Sequence, residues 1–257
     1  MRHVPQFSGG VGSWAAARRV VDQYGTKDVT LLVASTNYEA SDWQSFLTAC
    51  ICDLSCEAVI LNDGRSIWDV FHDERFLGNT RVDVCSKVLK REPLRKWLEK
   101  NCDPEDTIVY LGFDWTEEHR LHRARERWLP WRVEAPLCDP PYTEKQSHIE
   151  ELTKRGIPIP ALYTAGFPHN NCGGACVKAG QAQWAKLLTY DRERYLDAEM
   201  HENKLREELG DVAILRDRRG GTTKPYTLEA FRHNLEGKGE FERDDWGACS
   251  CMESGPG

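Results

Sequence analysis

Two hydroxyls and three glycines stand together at the start of the chain, in Phe7-Ser8-Gly9-Gly10-Val11-Gly12-Ser13, directly ahead of an alanine-rich stretch that begins at Trp14. Glycines let backbone N–H groups come close to an anion. A helix opening at this point adds about half a positive charge. The spacing is neither G-x-x-x-x-G-K-[ST] nor G-x-G-x-x-G, so it matches neither of the two familiar phosphate loops. A plain tight turn is the alternative.

Ten cysteines form a second chemical set. Cys172 and Cys176 flank Gly173 and Gly174, Cys249 and Cys251 close the chain, and Cys85 stands apart. Thiolates of this kind select iron–sulfur clusters or zinc. In a reducing compartment no disulfide framework is expected. Cys50, Cys52, Cys56 and Cys102 read as small core residues, and Cys138 is a spare ligand. A third set, Arg120 to Trp128, alternates basic side chains with an aromatic. It could touch a polyanion, but a solvent-facing helix or loop is the first expectation.

The elements that must position these groups follow from periodicity. Strands are expected at His3–Phe7, Val29–Ala34, Ala58–Leu61 and Thr107–Leu111, with Pro5 counting against the first. Helices are expected from Ser13 to about Tyr24, through the apolar series Trp43, Phe46, Leu47, Cys50, Ile51 and Leu54, and from Ser86 to Lys100 with a break at Pro93. Further helices are expected from a Thr143/Gln146 capping box to near Gly156, from Ala179 to Leu209, and from Thr227 to Leu235. A short strand is expected at Val212–Leu215. Strands alternating with helices imply right-handed crossovers and a parallel sheet with helices on both faces, a Rossmann-like α/β fold. Ligands of such sheets sit beyond the carboxyl ends of the strands, where the glycine loop falls. The organisation expected is a nucleotide-binding α/β unit over 1–135 and a mostly helical, cysteine-containing region over 136–257 packed on it.

The chain has 257 residues, 40% hydrophobic and 29% charged, with a net charge of −7. That charge argues against broad nonspecific nucleic-acid binding. No apolar run reaches the length of a membrane span, and no signal-peptide core is visible. A soluble, cytoplasmic protein without a membrane partner is expected.

The segment Ser8–Ser13 follows the pattern S-G-G-x-x-S. Other segments fall in matching order. Cys85-Ser86-Lys87-Val88-Leu89-Lys90-Arg91-Glu92-Pro93-Leu94, preceded by Arg81 and Val82, fits C-[ST]-x-x-L-K-x-x-P-[LF]. Leu111 to Arg120 is similar to G-x-R-x-x-E-S-x-x-R. Pro136-Leu137 with Pro141-Tyr142-Thr143, and Leu162-Tyr163 with Gly166-Phe167 and Cys172, complete the series. Together they resemble the phosphoadenosine-phosphosulfate (PAPS) reductase-like branch of the PP-loop ATP pyrophosphatase superfamily over roughly residues 5 to 176.

The resemblance implies that Phe7, Ser8, Gly9, Gly10, Gly12, Ser13, Thr36, Gly112, Asp114 and Arg120 bind the nucleotide. It places Lys87 with Cys249 and Cys251 in the catalytic set. Cys85, Cys172 and Cys176 with a terminal cysteine would hold a 4Fe–4S cluster, with zinc as the alternative metal. An intact S-G-G-x-x-S favours magnesium-assisted cleavage of ATP and adenylation of an acceptor, followed by sulfur delivery from a donor such as a cysteine desulfurase. The acceptor expected is a nucleobase, nucleotide or nucleic acid, or else a small molecule. The runner-up is a sulfonucleotide reductase that uses a terminal cysteine and thioredoxin, and the third possibility is a zinc-stabilised nucleic-acid-binding module. Three departures stand out: Val11 and Gly12 replace the usual Lys-Asp, and Asp114 stands where arginine is usual. Lys87, Lys90, Arg120 and Arg123 are candidates to supply the missing charge, and Asp42 or Asp114 to hold magnesium.

Overall fold

The computed structural model describes residues 1–77, 79, 83–218 and 221–247. Among the described residues five parallel strands carry the first part of the chain: β1 (Arg2–Pro5), β2 (Thr30–Ser35), β3 (Glu57–Asn62), β4 (Thr107–Tyr110) and β5 (Arg132–Glu134). β2 pairs with β3, and β1 with β4 and β4 with β5. The two ladders meet through parallel bridges His3↔Val29 and Gln6↔Leu32, so the order reads 3-2-1-4-5. Pro5 is the reason the junction is thin. His3 and Phe7 donate their N–H groups to Asp28 and Leu32 of the neighbouring edge, whereas Gln6 donates to Tyr110 on the other side. Proline therefore removes the one donor that alternation would aim at β2 between them.

Strand residues alternate between two apolar layers. Leu31, Val33, Ile108 and Tyr110 face α1 (Val11–Tyr24), α2 (Trp43–Leu54) and α7 (Lys145–Lys154). Val4, Leu32, Val109 and Val133 face α5 (Glu92–Asn101) and α6 (Glu118–Arg127). A sheet buried on both sides is what continuous apolar strands require. Order 3-2-1-4-5 reverses direction between β1 and β4, and that switch point is where a doubly wound sheet opens a ligand crevice.

A third core is mostly helical and packs α3 (Ile67–Asp73) with α9 (Gln181–Tyr190), α10 (Arg192–Leu209) and α11 (Leu228–Glu236). Trp68, Trp184, Tyr195 and Phe231 are its largest members, all at most 1% exposed. A short hairpin, β6 (Leu215–Asp217) against β7 (Lys224–Tyr226), closes its edge. Residues on both sides of position 135 contribute: Ile67 to Leu89 enter this helical core, and Leu137, Leu152 and Ile157 enter the α1 layer.

Several sequence expectations change. The helix expected at 86–100 is a short helical turn, α4 (Val84–Ser86), then a π-turn Lys87–Arg91, then α5. Pro93 sits in the first turn of α5, where a missing N–H is harmless, and the wide turn ahead of it spares the clash an α-ladder would meet. Asp83, 1% exposed, holds Arg91 through both guanidinium nitrogens at 3.1 and 3.2 Å, which pins this segment. The 179–209 helix is two helices, because Asp191 leaves helical backbone and caps α10 by accepting from Arg194 N. Thr143 does not cap α7. Glu144 occupies the cap without a side-chain bond, while Thr143 Oγ1 turns to His148 Nε2 and Arg19. The strand expected at 212–215 begins at Leu215 instead. α3 and β5 were not anticipated. Thr227 does cap α11, accepting from Ala230 N.

Candidate functional site

At the switch point lies a cavity of about 400 Å³. Its near wall is the turn between β1 and α1. The Ser13 hydroxyl occupies the middle of that turn: it accepts from Ser8 N at 3.2 Å, Ser8 Oγ at 3.1 Å and Gly10 N at 3.3 Å, and donates to Gly10 O at 2.8 Å. Val11 N donates to the Tyr163 hydroxyl at 3.4 Å. Neutral oxygens thus sit where N–H groups converge at a helix N-terminus, the arrangement that accepts an anion's oxygens.

Glycine is required at two places here. Gly9 adopts φ +76, and a Cβ there would lie 2.0 Å from the Trp43 indole nitrogen. Trp43 donates from that nitrogen to Ser8 O at 3.4 Å and braces the turn. Gly112, after β4, lies so close to the loop that a Cβ would be 2.8 Å from Ser13 Cα. The loop and the end of β4 touch through their backbones.

Phe7, Ser8, Gly10, Gly12, Ser13, Gly112, Asp114 and Arg120 all line the cavity. Arg120 is ion-paired with Glu117 and lies 4.4 Å over the Phe113 ring. Asp114 Oδ1 accepts from Thr116 N at 2.9 Å and Thr116 Oγ1 at 2.5 Å. Gly9 lies behind the turn. Thr36, 3% exposed, is tied by its N–H and hydroxyl to Glu39 at 2.6 and 2.8 Å and does not line the cavity. Lys87 is half-buried on the π-turn and does not line it either, whereas Lys90 does. Asp42 is engaged elsewhere, accepting from Ala161 N at 2.7 Å.

The far wall joins Tyr163 on α8 (Ala161–Thr164), from the Leu162–Phe167 segment, to four residues that spacing did not single out: Lys145 and His148 on α7, then His169 and Asn171. Lys145 Nζ donates to Pro168 O at 2.8 Å and holds the 168–171 loop against α7. Burial, with Lys145 and Lys90 nearby, pushes His169 down to about 4. Burial, with Arg19 nearby, also holds His148 below the ordinary histidine value. Two lysines and an arginine therefore face the cavity beside two histidines kept neutral. Apart from Tyr163, no local pattern marks this wall; the tertiary fold assembles it.

The cysteines are elsewhere. Cys176 is buried in the helical core, with Cys85 and Cys172 packed half-buried against it. Cys172 takes left-handed backbone, φ 50, and its carbonyl accepts from Arg194 at 3.1 Å. Among the described residues no three His, Cys, Asp or Glu side chains form a group able to hold a metal ion, so these three cysteines do not make a ligand face by themselves. Cys249 and Cys251 lie outside the described residues, as do Arg81 and Val82. Of the supposed core cysteines, Cys50 is buried, but Cys52 is exposed and Cys56 and Cys102 are half-buried. Cys138 donates to Asp114 O at 3.3 Å, and burial pushes its thiol up to about 11. Trp184 is fully buried, while Trp43 and Trp97 are half-buried.

Fold and site define a class: a doubly wound α/β protein whose cavity opens at the switch point, against a glycine turn. The sequence matches no protein-family model and no curated protein. Among solved structures the chain is similar to phosphoadenylyl-sulfate (PAPS) reductase from Candida auris in its phosphate complex. The identity is 12% and the TM-score 0.47, over 65% of this chain and 79% of that one. Among the described residues no helix is long and apolar enough to cross a membrane.

Proposed function

We propose that the protein is a PP-loop enzyme that cleaves ATP between its α and β phosphates to adenylate an acceptor, which then receives sulfur. The observation that carries this is the turn around Ser13. Ser8 N, Gly10 N and Val11 N, now satisfied by the hydroxyls of Ser13 and Tyr163, would pass to the oxygens of the β and γ phosphates. An acceptor oxygen attacks Pα, the Pα–O bond to the bridging oxygen breaks, and pyrophosphate leaves into the turn. A sulfur nucleophile then displaces AMP from the acceptor. Lys90, Lys145 and Arg120 neutralise the developing charge in place of the lysine absent at position 11. Magnesium, held chiefly by the phosphates, would add charge neutralisation, with Asp114 the carboxylate at hand.

No step is routed through an iron–sulfur cluster. The described cysteines do not fit one unaided, and a cluster would depend on Cys249 or Cys251. Iron and acid-labile sulfide assayed in anaerobically purified protein test that part separately.

The basic wall also favours a second reading, in which Lys90 and Lys145 receive the extra phosphate of a sulfonucleotide that a terminal cysteine reduces with thioredoxin. Calorimetry with Mg·ATP and with PAPS separates the two. ATP binding with pyrophosphate release upon addition of nucleobase or nucleic-acid acceptors supports adenylation. Sulfite release from PAPS, with no ATP binding, overturns it.

A further inference from the structure

We propose that Gln6 is the residue that reads the base of the nucleotide, pairing its side-chain amide with the amino edge of adenine. This rests on the nucleotide function proposed above and names a determinant within that site.

Gln6 follows β1 and shares the strand face of Val4, two residues earlier. Val4 belongs to the layer of Leu32, Leu94, Leu111 and Phe113, and the last four of these line the cavity together with Gln6. A side chain at this position is therefore expected to be apolar, as its neighbours are. Gln6 is instead an amide, only 6% exposed, whose oxygen and nitrogen both lack a hydrogen-bond partner among the described residues. Its backbone offers no explanation, because Gln6 N is already spent on Tyr110 O at 2.9 Å in the sheet.

A buried amide with neither group satisfied weakens the empty protein, since each orphaned group carries its desolvation cost. Groups of this kind are retained where a partner arrives. The surroundings specify that partner. Leu32, Leu94, Leu111 and Phe113 make flat apolar walls, which suit the faces of an aromatic base. The amide presents one acceptor beside one donor. Adenine presents a matching pair, its N6 amino group beside a ring nitrogen, and glutamine meets that edge with two hydrogen bonds. The phosphate turn begins two residues further on at Ser8, so base and phosphates would be held by one continuous stretch of chain.

The test compares wild type with Gln6→Leu, which keeps the volume and removes the polar pair. Binding is measured by calorimetry for ATP, for purine riboside 5′-triphosphate (which lacks the amino group) and for tripolyphosphate. Wild type is expected to bind ATP about tenfold or more tightly than the deaminated analogue, because a site built to pair a polar group rejects a ligand without it. Q6L is expected to bind both equally, with tripolyphosphate affinity unchanged. Q6L without ligand is expected to melt about 2–4 °C higher than wild type, a gain that a purely structural glutamine would not give. ATP binding that is identical in wild type and Q6L overturns the role of Gln6 while leaving the nucleotide site standing. Failure of wild type to bind either ATP or tripolyphosphate overturns the ATP-cleaving function itself.

Discussion

Ser13 has two tasks at once: its hydroxyl closes the empty turn, and its own position depends on the turn's backbone. Ser13→Ala removes the oxygen that Ser8 and Gly10 address. The expected result is a change in melting temperature of no more than a few degrees and a tenfold or greater loss of ATP affinity by calorimetry. Gly112→Ala works from the opposite side. The added methyl would lie 2.8 Å from Ser13 Cα, so strand end and turn must separate. Overpacking of this kind costs about 1–3 kcal/mol, visible as a lower denaturation midpoint together with lost nucleotide binding. Glu202 makes a third case at this scale. It is fully buried and accepts from Ile214 N at 2.7 Å and Leu228 N at 2.6 Å, one with each oxygen. Burial pushes it up to about 7. Glu202→Gln turns one acceptor into a donor facing an N–H, so a loss of about 1–3 kcal/mol is expected in urea unfolding.

At the scale of elements, the π-turn Lys87–Arg91 decides which lysine reaches the cavity: Lys90 lines it and Lys87 does not. If Pro93 imposes the wide turn, Pro93→Ala lets an α-ladder form, and the residues ahead of it rotate by about 100° per residue removed from the turn. The expected outcome is equal or higher thermal stability with weaker ATP binding; unchanged binding would show that the turn has another cause. The same segment illustrates what could be read beforehand. The turn after β1, the helices α1 and α2 and the strands β2 to β4 were legible because glycine type, apolar spacing and continuous apolar runs are local signals. Pro93 announced a break but not its form, since a proline is compatible with a stop, a kink or a wide turn. α3 was missed because Ile67–Asp73 is only seven residues long, and β5 because Arg132–Glu134 places one apolar residue between two charged ones. Thr143 looked like a cap, but Arg19 and His148 compete for its hydroxyl, and nothing near Thr143 in sequence reveals Arg19. The far wall of the cavity was illegible for the same reason. Lys145, His148 and His169 acquire a shared purpose only when α7 packs on α1.

For the molecule as a whole, four histidines, His3, His148, His169 and His201, are held below their ordinary value, burial being the largest cause for each. A histidine lowered in the folded state takes up its proton more readily when the chain unfolds. Such residues erode stability as pH falls through about 6.5, and His169 continues to do so down to about 4. Glu202 acts in the opposite sense between its ordinary value and about 7 and offsets His169, which leaves His3, His148 and His201 to set the net direction. Stability is therefore expected to fall between pH 6.5 and 4, and His169→Asn to flatten that slope in urea titrations; a slope unchanged by the substitution would contradict the role given to His169.

The helical core has a further consequence, in the order of events during synthesis. Trp68 and Phe71 emerge early, yet they pack in the same core as Phe231, about 160 residues later. At ribosomal rates of roughly 5–20 residues per second, these aromatics wait on the order of ten to thirty seconds for their partners. The sheet layer of α1 and α2 needs only Leu137 to Ile157 to close. Nascent chains stalled before α11 should therefore hold a protease-resistant sheet while remaining open to cleavage around α3, and the interval marks the stretch of synthesis in which this protein most needs a chaperone.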